Sequence, residues 1–204
     1  MRGNSPRNPG ILCGARRYDG HMSAPGLADG SQARFERAVL PQLDAAYNLA
    51  RWLTRSGTDA EDVVQDACER ALKYFGAFHG GDAKAWFLTI VRHACYDWLK
   101  RNRPAEIVPG DAEAIDGIPD PTTPTPEQAA LRNASSAVLA EAIAALPVGY
   151  REVLILRELE EMPYREIARV IDIPIGTVMS RLARARGLLQ RSPLVRAIRE
   201  RSAG

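Results

Sequence analysis

The chain has 204 residues, of which 46% are hydrophobic and 25% charged, with a formal net charge of +2. That length holds one large or two small domains, because domains usually take about 100–200 residues, and the composition excludes a wholly disordered, collagen-like or disulfide-scaffold protein. No stretch approaches the roughly 18 uninterrupted apolar residues of a membrane span, so direct membrane insertion is not expected.

Cys13, Cys68 and Cys95 are odd in number and widely spaced, which suits a reducing, cytoplasmic setting better than a disulfide framework. Arg2, Arg7, Arg16 and Arg17 near the start are not followed by the apolar stretch of about 7–15 residues that a signal peptide requires. Residues 1–32, rich in Gly, Pro, Asn and Ser, are expected to form a disordered arm. Met22 stands beside Met1 as a second candidate start.

Helical periodicity begins after that arm, with Leu40, Leu43, Tyr47, Ala50 and Leu53 as a first apolar stripe. Thr58 with Glu61 three residues on has the pattern of a capping box and predicts the start of a second helix there. Its buried face would be Val63, Val64, Ala67, Ala71, Leu72 and Phe75, and the glycines of 76–81 would stop it. A third helix, about 82–101, would bury Phe87, Ile90, Val91, Ala94 and Trp98. These elements predict a compact helical domain over 33–103.

Residues 104–126 read as a flexible acidic linker. Glu106, Asp111, Glu113, Asp116 and Asp120 meet no Lys or Arg there, and Pro104, Pro109, Pro119, Pro121, Pro124 and Pro126 remove backbone donors and disfavour helix. A second helical domain is predicted over 127–190. Thr125 and Pro126 suit an N-cap and first helical position, and Leu131, Ala134, Val138, Ala142 and Leu146 carry the next stripe. Pro147 restarts the chain into a helix with Val153, Leu154, Leu156 and Leu159, followed by two short segments, Tyr164–Ile171 and Ile175 to about Leu189. Residues 191–204 form a basic tail. From Ile173 onward Arg181, Arg184, Arg186, Arg191, Arg196, Arg199 and Arg201 face the single acid Glu200. No segment alternates long enough for a strand, so the fold class is all-α, in two small domains.

The last two segments have the pattern of a helix-turn-helix, with Ile167, Ala168 and Ile171 meeting Ile173, Val178 and Leu182 in a small core. Thr177, Ser180, Arg181, Arg184 and, less centrally, Met179 would then lie on the outside of the second helix, where hydroxyls suit phosphates and guanidinium forks suit guanine edges. A solvated basic helix in an ordinary bundle would carry the same charges. Asp172 falls where the turn calls for positive φ, usually a glycine's place, and aspartate tolerates that region better than most residues.

At these residues the sequence resembles the extracytoplasmic-function sigma factors, small two-domain promoter-recognition subunits of bacterial RNA polymerase. The run Tyr150-Arg-Glu-Val-Leu-Ile-Leu-Arg-Glu-Leu, leading into Ile175-Gly-Thr-Val-Met-Ser-Arg-Leu-Ala-Arg-Ala-Arg186, is similar to that family's region 4. Asp59-Ala-Glu-Asp-Val-Val-Gln-Asp66 resembles the region 2 core-binding motif, and Trp86-Phe-Leu-Thr-Ile-Val-Arg-His-Ala-Cys-Tyr-Asp-Trp-Leu-Lys-Arg-Asn-Arg103 its promoter-melting helix. The resemblance covers about residues 35–190.

The resemblance implies a sigma factor that binds core RNA polymerase through its beta-prime clamp and beta subunits, recognises minus-35 and minus-10 elements of promoter DNA and promotes melting. Spacing puts Asp62, Gln65, Asp66 and Glu69 at i, i+3, i+4 and i+7 on one acidic face. By resemblance that face, with Asp59, docks on the basic coiled-coil clamp of beta-prime, whereas spacing alone is equally met by a solvated surface. Phe78, His79, Lys84, His93, Lys100, Arg101 and Arg103 form the implied minus-10 set, aromatic and cationic as single-strand binding requires. The loop Phe78-His-Gly-Gly-Asp-Ala-Lys84 and the exposed start of the third helix would read bases, whereas Phe87 and Trp98 belong to the apolar stripe. His93 stands where many relatives have asparagine. The implied minus-35 set is Thr177, Met179, Ser180, Arg181, Arg184 and Arg186. The acidic linker would thread the basic channel of the polymerase, and relatives are commonly held by an anti-sigma factor.

Enzymatic readings find no support. His93 and Cys95 are two residues apart, about 200° around a helix, and do not converge on a metal. No CxxC, nucleotide-binding glycine loop, GxSxG or HExxH occurs, so no cofactor, metal or catalytic residue is expected. Two other readings stay open: an autonomous helix-turn-helix repressor or activator binding DNA as a dimer, and a sigma mimic that only sequesters an anti-sigma factor.

Overall fold

The computed structural model describes residues 29–107 and 137–196, and every described element is helical. In chain order these are α1 (Asp29–Val39), a 3₁₀ turn (Leu40–Gln42), α2 (Leu43–Thr54), α3 (Gly57–Tyr74), a 3₁₀ turn (Phe75–Ala77), α4 (Ala83–Asn102) and a 3₁₀ turn (Pro104–Glu106). Then come α5 (137–144), α6 (Val148–Glu158), α7 (Tyr164–Ile171) and α8 (Ile175–Arg191). The predicted arm over 1–28, the linker residues 108–126, the first turns of the fourth predicted helix with Thr125, Leu131 and Ala134, and the tail beyond 196 lie outside the described residues.

Helices α2, α3 and α4 pack on one another as the first domain. Ala45, Ala46, Ala50, Ala60, Ala67 and Ala71 are buried between them, and such short side chains let helix axes approach closely while Leu49, Leu53, Phe87 and Val91, none of them accessible, fill the remaining volume. The first stripe differs from its prediction. The helix breaks at Leu40–Gln42, where Pro41 supplies no N–H, so Leu40 is 55% exposed and the buried register runs through Ala45, Ala46, Leu49, Ala50 and Leu53 instead. Asp29 to Gln32, expected in the arm, belong to α1.

The second helix begins one residue before the predicted capping box. Ser56, not Thr58, is the N-cap, its side-chain oxygen accepting from the Asp59 N–H, since a cap needs extended backbone and Ser56 has φ −146°, ψ 133°. Asp82 caps α4 in the same way, accepting from the Ala85 N–H. Burial of Phe87, Val91 and Ala94 follows the predicted stripe, while Ile90 and Trp98 are half-buried and Leu88, Cys95 and Leu99 are fully enclosed on a second stripe.

The second domain is built on α6, packed against both α7 and α8. Ile167, Ile171, Val178 and Leu182 are buried, with Ala168 and Ile173 half-buried against them, which is the predicted helix-turn-helix core. Asp172 sits at φ 54°, ψ 53°, in the left-handed region expected of it. The two domains meet directly, α7 against α4 and α6 against α2. The start of the segment predicted as flexible linker is folded too: Glu106 forms ion pairs with Arg55, Arg103 and Arg151.

The turn supplies a stability test. Asp172→Gly is expected to hold or raise the melting temperature, because glycine carries no penalty at positive φ, whereas Asp172→Val is expected to cost about 1–2 kcal/mol. Thermal unfolding of the two variants checks this; an equal loss in both would assign the effect to the aspartate side chain instead of the backbone.

Candidate nucleic-acid and partner interfaces

One face of α8 carries Thr177, Ser180, Arg181 and Arg184, at i, i+3, i+4 and i+7, with Ser180 and Arg184 exposed and Thr177 and Arg181 half-buried. Val178, Leu182 and Ala185 fasten the opposite side to the domain core, so the rigid helix presents two hydroxyls and two guanidinium groups together. The Ser180 hydroxyl donates to the Thr177 carbonyl at 3.1 Å, and the Arg181 guanidinium lies beside Gly149 at the start of α6. The other two predicted members are elsewhere. Met179 is 48% exposed next to Ile175 at the flank of the helix. Arg186 turns back to Glu158 of α6 at 2.5 Å, a hydrogen bond that holds its guanidinium above the usual range. Buried Leu182 and Ala185 stand between these two and the four-residue face, which is why one period does not gather all six.

On α3, Asp62, Gln65 and Glu69 are exposed and Asp59 and Asp66 half-exposed. Gln65 donates to Glu69 at 3.4 Å. Asp66 is paired: Arg70 bridges it at 2.7 Å and reaches Asp97 of α4 at 2.7 Å. The Arg70 hydrogen bond pulls the Asp97 carboxyl below its ordinary value. Beside this face lies an open groove of about 790 Å³, lined by Asp62, Asp66, Arg70, Asp97, Lys100 and Arg101 among others. The face is therefore acidic with a basic far wall.

The predicted minus-10 set does not form one patch. Lys100 and Arg101 line the groove beside the acidic face, about 24 Å along α4 from Lys84 at 1.5 Å per residue. Arg103 lies over the Trp98 ring at 5.5 Å and bonds Glu106 at 3.3 Å. His93 is exposed midway. At the other end His79 is exposed, its Nδ1 2.7 Å from the Ala77 carbonyl, and Phe78 is half-buried with its ring 4.8 Å from Trp86 and 5.8 Å from Phe75. Glycine-rich chain around it, with φ 98° at Gly80 and 105° at Gly81, makes the bend into α4. The exposed ring here is Tyr74, 56% accessible with the Lys73 ammonium 5.6 Å from its centroid; sequence reasoning passed over it because Phe75 alone continued the stripe.

Sequence reasoning also missed a polar seam between the domains. Glu152, fully buried on α6, accepts from Arg92 Nε and, at 2.7 Å, from the Tyr96 hydroxyl. Burial, followed by the Glu152 charge, pushes the Tyr96 hydroxyl well up. For Arg92 burial pulls down, but Glu152 outweighs it and the net shift is upward. Arg151, 2% exposed, donates to the Trp52 carbonyl at 2.9 Å, the Leu146 carbonyl at 3.0 Å and Glu106 at 3.2 Å. Lys84, assigned to DNA from sequence, donates to the Glu160 carboxylate and carbonyl, each at 3.0 Å. The available signal was Arg151-Glu152 itself, two charges set directly before the apolar run Val153–Leu156.

Cys95 is fully buried and its thiol pushed well up, chiefly by that burial; burial raises Cys68 to about 11. Neither offers a ready thiolate. Among the described residues no group of His, Cys, Asp and Glu has the arrangement to hold a metal, and no helix is long and apolar enough to cross a membrane.

Comparison with known proteins agrees with this geometry. Residues 38–104 match the family model for sigma-70 region 2, and residues 136–189 match that for sigma-70 region 4. The chain is similar to the RNA polymerase sigma-H factor of Pseudomonas aeruginosa, 31% identical across 82% of this chain and 91% of that protein. It is also similar to the ECF RNA polymerase sigma-E factor of Escherichia coli K12, 30% identical over 82% and 91%. Among solved structures, the sigma factor RpoE crystallised with the anti-sigma factor NepR from Bartonella quintana superposes with TM-score 0.59 at 26% identity, over 80% of this chain and 97% of that one. CnrH, in complex with the cytosolic domain of CnrY, gives 0.54 at 26% over 78% and 86%. Both domains, their order and their helical fold thus agree: the chain belongs to the extracytoplasmic-function sigma factors, the subunits that direct RNA polymerase to promoters.

Proposed function

We propose that the acidic face of α3, Asp59, Asp62, Gln65, Asp66 and Glu69, docks on the basic clamp of the polymerase beta-prime subunit, and that α8 reads the minus-35 element. The observation that carries the reading is the pairing on one chain of a rigid helix-turn-helix, whose Thr177, Ser180, Arg181 and Arg184 share one face of α8, with that acidic face on a separate domain. A protein that only repressed duplex DNA would have no use for the second, and one that only sequestered a regulator no use for the first. Phe78, His79 and Lys84, with the exposed Tyr74 beside them, serve minus-10 recognition and melting at the α3–α4 turn. The protein performs no chemistry and holds no cofactor; its binding energy drives strand separation in the cytoplasm. An anti-sigma factor is its expected regulator, as in the RpoE–NepR structure.

Transcription with purified core polymerase tests the reading, since only a sigma factor makes core initiate at a defined promoter. Reversing Asp62 and Asp66 to Lys is expected to weaken core association with helical content nearly unchanged, because both lie at the surface and an exposed pair such as Asp66–Arg70 contributes only about 0–1 kcal/mol. A pull-down with undiminished binding by the folded double variant removes this face from the polymerase.

Arg184→Ala is expected to cost on the order of 1–3 kcal/mol of promoter affinity and to relax preference at one minus-35 position, as loss of a guanine contact does. Binding titrations on promoters altered base by base decide it: equal loss on every sequence marks a phosphate contact, and no loss on any sequence takes the residue off the DNA.

A further inference from the structure

We propose that Ile175 and Met179 of α8 read thymine in the minus-35 element, packing on its 5-methyl group from the major groove and so fixing an A·T pair that the guanidinium groups of the same helix, suited to guanine, do not specify. This rests on the assignment of α8 to the minus-35 element and names what one flank of that helix recognises.

The two side chains form an apolar strip with no partner in the protein core. Ile175 is 39% and Met179 48% exposed, and four residues apart on one helix they stand one above the other. The core contact of this part of α8 is made by Val178 and Leu182 instead, at 0% and 2% exposure. A single apolar residue at a surface needs no explanation. Two side by side, on a helix whose remaining surface offers hydroxyls and arginines, are out of place in water and suit an apolar target. In the major groove the thymine methyl is the apolar group that the base edges present.

Position and relief both fit. In a helix-turn-helix the N-terminal residues of the second helix meet the base edges; Ile175 opens α8, Met179 follows one turn later, and the first turn carries no acidic side chain to repel phosphates. At about 100° per residue, Gly176 and Ala183, both exposed, fill the arc between Met179 and Ser180, so no bulky side chain keeps a duplex from touching both edges of that arc. A Cβ added at Gly176 would meet nothing within 4 Å. The protein's own packing therefore gives no reason for a glycine there, although glycine is disfavoured within a helix, whereas close approach by DNA does. From Ile175 to Met179 the rise is about 6 Å at 1.5 Å per residue, less than two base pairs at about 3.4 Å each, so the strip covers one A·T pair or two neighbouring ones.

Holoenzyme reconstituted from the full chain and core polymerase, titrated on promoter duplexes selected from a randomised minus-35 segment, tests the proposal. The selected segment is expected to keep at least one A·T pair. Replacing its thymine by deoxyuridine removes the methyl and leaves the hydrogen-bonding edge intact, and is expected to weaken binding about fourfold, which corresponds to about 0.8 kcal/mol for one buried carbon at about 1.4 kcal/mol per tenfold. I175A with M179A is expected to bind the thymine and deoxyuridine duplexes equally, with its melting temperature held, since both side chains are exposed. M179Q, similar in length but polar, is expected to lose the preference too, which marks apolarity and not length as the property read. The proposal is overturned if no deoxyuridine replacement weakens the unaltered holoenzyme, or if the thymine preference survives in I175A/M179A. A double variant that joins core less well and keeps its thymine preference assigns the strip to the polymerase, and equally overturns it. Failure of the minus-35 reading itself looks different: the unaltered holoenzyme would then select no sequence in that segment at all.

Discussion

A carboxylate with no solvent exposure, Glu152, fixes the arrangement of the described molecule. An ionised carboxylate moved from water into a protein interior loses hydration worth several kcal/mol even after relaxation, so it persists there only with partners that complete its hydrogen bonds. Arg92 and Tyr96 do so from α4, which means that the burial of one residue on α6 specifies which face of α4 lies opposite. Arg151, the adjacent residue, repeats the logic with the sign reversed: burial lowers its guanidinium, Glu106 opposes that shift, and the backbone carbonyls of Trp52 and Leu146 take the remaining donors. No buried side-chain polar atom among the described residues lacks a partner, so the seam is chemically complete as it stands.

Because of that seam α4 serves two cores. Its Phe87, Val91 and Ala94 stripe belongs to the first domain, and its second stripe of Leu88, Cys95 and Leu99 gives it buried surface on more of its circumference than a two-layer domain would ask. A single apolar stripe was legible in the sequence, and a helix with two was not, because Arg92 and Tyr96 interrupt the second and read as solvent-facing until Glu152 is brought to them. Periodicity reports what an element buries within its own neighbourhood, whereas pairing between residues 60 positions apart, as in Arg92–Glu152, leaves no periodic trace.

Local signals carried further. The helix-turn-helix was legible to its ends, Tyr164–Ile171 and the start at Ile175, because its turn chemistry, its short apolar triplets and its arginines agree. Asp172 was legible since a left-handed residue between two short helices is a backbone requirement, independent of tertiary contacts. Capping was less so: Ser56 and Thr58 are both good caps, and the choice between them falls to the left-handed Arg55 at φ 58°, which ends α2 and delivers extended backbone at Ser56. Nor does helical spacing say that Arg186 projects beside Glu158, a partner contributed by another helix.

The modest net charge of +2 hides an uneven distribution that makes the two-domain design intelligible. Acids collect on α3, and arginines collect on α8. A chain built in this way attracts polymerase and DNA through different ends, and its oppositely charged surfaces also attract each other unless something sets the register. Here the register comes from the short range of hydrogen-bonded ion pairs. One contact works against it: Glu166 of α7 meets Asp82, the cap of α4, and desolvation together with the Asp82 charge raises the Glu166 carboxyl above its ordinary value. Two carboxylates brought together repel when both are ionised, and Arg169 and Lys84 nearby offset part of that effect. These polar pairs sit beside apolar contact, since buried residues of both domains, Leu88 and Leu99 of α4 with Ile155 and Leu156 of α6 among them, belong to one continuous core.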